Sequence, residues 1–97
     1  MVVDPTEIND LRVRVCRHVA RVAPAGRFGA LGGHDDVPLG ATGLGLDSVR
    51  LVELLLLCED ELGVALPADA LPAMPSLTVG HFVTWVGERV AASRASS

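Results

Sequence analysis

The stretch GLGLDSVRLVEL, residues 43–54, puts a single serine between a glycine-rich segment and a leucine-rich helical pattern. Ser48 follows Asp47, and either side chain can cap the helix that begins here, which is the commonest use of such a serine. The Ser48 hydroxyl could equally accept a covalent group. Gly43 and Gly45 let the backbone lie close to a bulky group, and the amides and dipole of a helix start favour a phosphate. Two roles for Ser48 therefore stay open, helix cap and attachment point.

Two other chemistries of glycine and serine lack the residues that they need. A nucleotide-phosphate loop requires Gly-Lys-Ser or Gly-Lys-Thr, and the chain contains no lysine. A serine hydrolase requires a Gly-x-Ser-x-Gly elbow or a base directed at Ser48. No motif connects this serine with the three histidines, which are His18, His34 and His81. The sequence therefore gives only weak support to either chemistry.

Composition limits the kind of fold and partner. The 97 residues are 49% hydrophobic but only 3% aromatic, which is typical of a small helical bundle built from Leu, Val and Ala. A net charge of −4 without interleaved aromatic residues argues against nucleic acid binding.

The longest apolar run, residues 54–58, is too short to span a membrane, and no signal segment follows Met1, so we expect a cytoplasmic protein. Cys16 and Cys58 lack a zinc-binding spacing and are expected to be buried, reduced thiols.

The chain divides into helices around one long loop. The first helix is predicted to begin at Asp4 and Pro5, with a carboxylate at Glu7, and to end near Ala23 because Pro24 follows. Its apolar residues recur at steps of three and four and should form one buried stripe, namely Ile8, Leu11, Val15, Val19 and Val22. Residues 24–46 hold most of the glycines and are predicted to be a loop.

Beyond the loop the pattern is again helical. We expect a single domain of residues 1–92, followed by a disordered tail of residues 93–97. Three elements are predicted: a helix from Asp47 or Ser48 to Leu62 that Gly63 ends, a short helical turn over residues 68–71, and a helix from Ser76 or Thr78 to about Ala92.

The second helix has two distinct sides at 100° per residue. Single exposed apolar residues are normal on any surface, but a mixed apolar and acidic side also suits a transient protein partner. The core side contains Leu51, Leu54, Leu55, Cys58 and Leu62, and the opposite side contains Val49, Glu53, Leu56 and Asp60.

Three segments in order, GLGLDSVRLVEL, EDELGVALP and SLTVGHFV, give residues 43–86 a close resemblance to the acyl carrier proteins of fatty-acid and polyketide synthesis. The resemblance implies an all-α four-helix bundle of acyl-carrier type, with three main helices, a short third helix and a long loop between helices 1 and 2. It also implies that Ser48 carries 4'-phosphopantetheine, which a separate phosphopantetheinyl transferase takes from coenzyme A. Acyl groups would be held on the thiol of that arm as thioesters, and the carrier itself would catalyse nothing.

The same resemblance implies a docking surface for an acyl-loading enzyme or acyltransferase and for a ketosynthase or other synthase enzymes. The residues of this surface would be Asp47, Val49, Glu53, Leu56, Glu59 and Asp60. Arg50 is an unusual neighbour, because a cation in the first turn opposes the helix dipole by about 0.3 to 1 kcal/mol. It is explained either by an i,i+3 pair with Glu53 or, as a partner-binding residue, by selection of a partner with an acidic patch.

Two features depart from the family. LGGHDD, residues 31–36, resembles the LGGHS core of peptidyl carrier domains, but Asp35 stands where the modified serine would be. We interpret this segment as loop, with His34 exposed. Cys58 takes a core position where a larger apolar residue is expected, so the space between helices 2 and 3 could admit part of an acyl chain.

These observations predict a discrete, monomeric acyl carrier protein. All eight basic residues are arginines, and a composition rich in Ala, Val and Gly suits a high-GC bacterial genome and, by association, polyketide or related secondary-metabolite biosynthesis. Two alternatives stay open: an aminoacyl or peptidyl carrier that uses the same arm, and a helical interaction module whose Ser48 is never modified.

Overall fold

The computed structural model describes residues 5–23 and 36–96, and this part of the chain is all-helical. It contains three α-helices and two short 3₁₀ turns, namely α1 (Pro5–Val22), α2 (Ser48–Leu62), Ala68–Ala70, Met74–Ser76 and α3 (Val79–Ser96). The described residues form no β-strand, only an isolated bridge between Pro38 and Thr78. The all-α class is therefore confirmed.

The predicted count of four helices is not confirmed. Where one helical turn over residues 68–71 was expected, the chain forms the two 3₁₀ turns and no further α-helix. Pro72 and Pro75 explain this, because each lacks the N–H that an α-helix would bond to the backbone oxygen four residues earlier. The segment between α2 and α3 is therefore a series of tight turns.

The first helix matches its predicted pattern. It begins at Pro5 and ends at Val22, one residue before the expected end, while the proposed cap Asp4 lies outside the described residues. Four members of the predicted stripe are buried, namely Leu11, Val15, Val19 and Val22. Cys16 was expected to be buried and is only half-buried, because it lies at the edge of that stripe.

The last helix begins where Thr78 predicts and ends later than expected. The Thr78 hydroxyl accepts a hydrogen bond from the backbone N–H of His81 at 3.1 Å, so Thr78 rather than Ser76 caps the helix. The helix runs to Ser96 instead of about Ala92. Residues 93–95, Ser-Arg-Ala, contain neither Gly nor Pro to stop it, and Arg and Ala are good helix formers.

One hydrophobic core joins the three helices and the segments between them. The first helix packs against both α2 and α3. Loop residues Leu39 and Leu44 and the turn residue Met74 are fully buried with the α3 residue Phe82. At the surface, Glu61 of α2 contacts two α1 side chains, Arg14 at 3.7 Å and His18. No helix in the described part of the chain has the length and apolar character needed to cross a membrane.

Candidate functional site

Asp47, not Ser48, caps α2. The Asp47 backbone is extended, and its Oδ1 accepts a hydrogen bond from the backbone N–H of Arg50 at 2.9 Å. Ser48 is the first residue inside the helix and is exposed. Its hydroxyl makes no hydrogen bond with any described residue, so the cap role that the sequence left open for Ser48 is wrong. The hydroxyl is available at the surface for other chemistry.

The start of α2 presents unpaired donors close to that hydroxyl. Asp47 uses its side chain for the N–H of Arg50 and its backbone oxygen for the N–H of Leu51. Within the described residues, the N–H groups of Ser48 and Val49 have no acceptor. Such donors, together with the positive end of the helix dipole, favour an anionic group attached at this point.

The loop before α2 is held by its own backbone. Gly40 donates to the backbone oxygen of Pro75 at 3.1 Å, and Leu46 donates to that of Leu39 at 3.0 Å. A Cβ on Gly43 would lie only 2.1 Å from the Pro38 backbone oxygen, so this glycine is needed for internal packing. Gly45 has φ 78°, the left-handed region that favours glycine. The expectation that Gly43 makes room for a bulky group is therefore corrected, whereas nothing lies within 4 Å of a Cβ on Gly45, so the expectation for Gly45 stays a prediction.

An apolar groove of about 450 Å³ opens beside Ser48. Six of its residues are apolar, namely Ala41, Leu46, Leu51, Leu71, Pro72 and Pro75. Cys58 does not line it, so the groove gives no support to the idea that this cysteine makes space for an acyl chain. Cys58 is fully buried, and burial together with the nearby Glu61 carboxylate raises the pKa of its thiol from 9.0 to about 12. The thiol therefore stays protonated and unreactive at neutral pH.

The outward side of α2 is both apolar and acidic, as its spacing predicts. Val49 is 74% exposed and Leu56 is 58% exposed, and Val52 between them is 39% exposed. Glu53 and Asp60 are exposed on the same side of the helix. On the core side, Leu51, Leu54, Leu55 and Cys58 are buried, while Leu62 is half-buried at the helix end.

Two charged residues of α2 bind within the chain. The Arg50 guanidinium donates through Nη1 to the backbone oxygen of Val22 at 2.6 Å, so the expected pair with Glu53 is replaced by a contact with α1. Glu59 Oε2 accepts a hydrogen bond from the backbone N–H of Leu66 at 2.7 Å. The first contact spans 28 positions of sequence and the second spans seven, and neither is an i,i+3 or i,i+4 pair that helical spacing would indicate.

The remaining candidate residues lie away from Ser48 or outside the described part of the chain. Residues 31–35 of LGGHDD, with His34 and Asp35, are not described, and Asp36 is exposed. His18 is engaged with Glu61, and the described residues contain no group of three or more His, Cys, Asp or Glu that could hold a metal ion.

Comparison with known proteins adds one match. A family model described as "phosphopantetheine attachment site" matches residues 14–86, from the middle of α1 to the middle of α3. Searches among curated proteins and among solved structures found no match. The matched region contains the whole of α2, the loop before it and the groove beside Ser48.

Proposed function

The chain belongs to the phosphopantetheine attachment site family, and from that premise we propose that Ser48 is the residue that receives the arm. A domain of this family is the site at which 4'-phosphopantetheine is covalently attached, so the chain is a carrier of that group. The single observation that carries the choice of Ser48 is its exposed hydroxyl at the first position of α2, free of the capping role that Asp47 fills.

The residues around Ser48 suit a phosphodiester. The N–H groups of Ser48 and Val49 are available to phosphate oxygens, and the positive end of the α2 dipole favours their charge. The groove beside Ser48 is apolar and suits the non-polar part of an attached arm or its cargo. When bound, the arm supplies a terminal thiol that holds an acyl group as a thioester.

We propose that the cargo is an acyl group and that the protein serves polyketide or related secondary-metabolite synthesis. Carrier domains are generally not catalytic, and this chain contributes an attachment residue and surfaces rather than a reacting base. Phosphopantetheinyl transferases and synthase enzymes are the general partners of such domains. A loading enzyme or acyltransferase and a ketosynthase are the specific partners that we propose here.

The surface that these enzymes would bind is the outward side of α2. Val49, directly after Ser48, and Leu56, about two turns further along the helix, offer exposed apolar area. Glu53 and Asp60 offer carboxylates for basic residues of a partner. Asp47 lies at the same end, although its side chain is engaged as the cap. We leave Arg50 and Glu59 out of this surface, because each side chain has a contact within the chain.

Two alternatives differ from this proposal in different ways. An aminoacyl or peptidyl carrier would use the same serine and arm, and only the loading enzyme distinguishes it. A helical interaction module would leave Ser48 unmodified. The family match makes that reading less favoured, since it covers residues 14–86 with an attachment-site model.

The test is the intact mass of the protein after incubation with coenzyme A and a broad-specificity phosphopantetheinyl transferase. Wild type is expected to gain the mass of one phosphopantetheine, and Ser48→Ala to gain nothing. Ser76→Ala is the control, since Ser76 is also an exposed serine but lies in a 3₁₀ turn rather than at the start of α2. A wild type that gains no mass would refute the proposal. Loading by acyl-transferring or by amino-acid-activating enzymes then separates the two carriers.

A further inference from the structure

Arg50 connects the first turn of α2 with the last residue of α1. Its guanidinium donates to the backbone oxygen of Val22 at 2.6 Å in a half-buried contact. The carbonyl groups of the last helical turn have no donor within their own helix, and a cation is favoured at that negative end of the helix dipole. Arg50 therefore gives the backbone oxygen of Val22 a charged hydrogen-bond donor that α1 itself does not provide.

The position of Arg50 is unfavourable for α2 taken alone. A cation in the first turn opposes the positive end of the α2 dipole, whereas the same cation is favourable at the end of α1. The contact with Val22 thus gives a physical reason for an arginine beside an otherwise acidic side of the helix. It also engages the guanidinium across 28 positions of sequence, which no pairing inside α2 would do.

Two hydrogen bonds of Arg50 hold the helix turn that contains Ser48. Asp47 Oδ1 accepts from the backbone N–H of Arg50, which fixes the turn that contains Ser48. The side chain of the same arginine then fixes that turn to α1. Displacing Ser48 relative to α1 requires one of these hydrogen bonds to break.

We propose that Arg50 is a positioning residue for attachment of the arm, which holds Ser48 in a fixed orientation relative to α1. The proposal rests on the proposed role of Ser48. In the attachment, the Ser48 oxygen forms a bond to the phosphorus of the phosphopantetheine part of coenzyme A. The bond from that phosphorus to the adenosine phosphate breaks, and the hydroxyl proton passes to a base of the transferase. Alignment of that oxygen with the phosphorus is sensitive to small displacements of the helix start.

The test compares Arg50→Ala, Arg50→Lys and the control Arg21→Ala. Arg21 is an exposed arginine next to Val22 whose side chain makes no hydrogen bond or ion pair with the described residues, so its loss removes the same charge from the same region. Two quantities are measured: kcat and KM for transfer of phosphopantetheine from coenzyme A by two unrelated transferases, and amide hydrogen exchange in the first turn of α2.

Arg50→Ala is expected to lower kcat on the order of tenfold with both transferases, independently of salt, and to speed amide exchange at Leu51, whose N–H is bonded to the backbone oxygen of Asp47. Arg50→Lys, which keeps a charged donor, should recover most of the rate, and Arg21→Ala should behave as wild type. A loss confined to KM that differs between transferases and disappears in salt would make Arg50 a partner contact and overturn the proposal. Unchanged exchange in Arg50→Ala would overturn it as well.

Failure of the proposed function would have a different signature. If the wild-type protein accepts no phosphopantetheine, Ser48 is not the attachment residue. The amide exchange measurement then still decides whether Arg50 holds α2 against α1. If Arg50→Ala does not fold, Arg50→Met, which keeps a long side chain but has no donor, provides the same comparison. Wild-type rates together with wild-type amide exchange in Arg50→Met would overturn the proposal.

Discussion

Because Asp47 and Ser48 have separate roles, we expect substitution of Asp47 to lower the stability of the domain and substitution of Ser48 to leave it almost unchanged. Asp47→Ala removes the acceptor of the 2.9 Å hydrogen bond from the Arg50 backbone N–H and leaves that donor without its cap. Loss of a helix cap costs about 0.5 to 2 kcal/mol, and the exposed position of Asp47 favours the middle of that range, about 1 kcal/mol. A domain of this size should then melt about 4 to 8 °C lower than wild type.

Ser48→Ala should leave stability almost unchanged. The Ser48 hydroxyl is exposed and makes no hydrogen bond with the described residues, and alanine is the better helix former. Its effect should lie within about 0.5 kcal/mol of zero. A third variant, Asp47→Asn, keeps a capping oxygen but removes the charge, so it should recover most of the stability that Asp47→Ala loses.

Thermal and urea unfolding followed by circular dichroism measure all three variants. The reasoning would be refuted if Ser48→Ala were destabilised as much as Asp47→Ala, because Ser48 would then contribute to the cap. It would also be refuted if Asp47→Asn behaved like Asp47→Ala, since charge rather than the hydrogen bond would then explain the loss. If Ser48→Ala is as stable as wild type, its failure to accept phosphopantetheine can be attributed to the missing hydroxyl and not to unfolding.

Three further predictions concern stability. Glu59→Ala should lose about 1.5 to 3 kcal/mol in urea unfolding because it leaves the Leu66 backbone N–H unpaired, while the exposed neighbour Asp60→Ala should change little. Gly63→Ala should lose about 1 to 2 kcal/mol, because φ is 67° and nothing obstructs a Cβ there, so backbone strain alone acts; a wild-type midpoint would contradict this. The pKa of the Cys58 thiol is 9.0 before burial and about 12 after it, so the folded thiol keeps a proton that the unfolded chain loses. The free energy of unfolding should therefore be insensitive to this group below about pH 9 and fall as the pH rises from there towards 12, and a Cys58→Ala variant that fell as steeply would contradict the assignment.

The second helix could be predicted from the sequence because every local signal agrees. Asp47 provides the cap, Gly63 provides the left-handed stop, and the leucines recur on one side between them. Where a local signal is missing, the prediction fails: α3 has no stop residue near Ala92, and it continues to Ser96. The short third helix was predicted between Pro67 and Pro72, but prolines there allow only 3₁₀ turns.

The sequence could not predict two features that depend on the folded chain, the partner of Arg50 and the close approach of Gly43 to Pro38. Helical spacing suggested Glu53 as the partner of Arg50, whereas the observed acceptor is the backbone oxygen of Val22, 28 positions away. Every residue has a backbone oxygen, so the residue type at position 22 does not indicate that its oxygen accepts a hydrogen bond from Arg50. Gly43 shows the same difficulty, since a glycine required for close approach to Pro38 cannot be told from one required for a ligand until the loop is folded.

The central claim, attachment of phosphopantetheine to Ser48, is tested most directly by locating the added mass. Cleavage after arginine yields the peptide of residues 28–50, whose hydroxyl side chains are Thr42 and Ser48. After treatment with coenzyme A and a transferase, fragmentation of this peptide should place the phosphopantetheine on Ser48, within fragments that exclude Thr42. An unmodified peptide, or a modification on Thr42, would contradict the account.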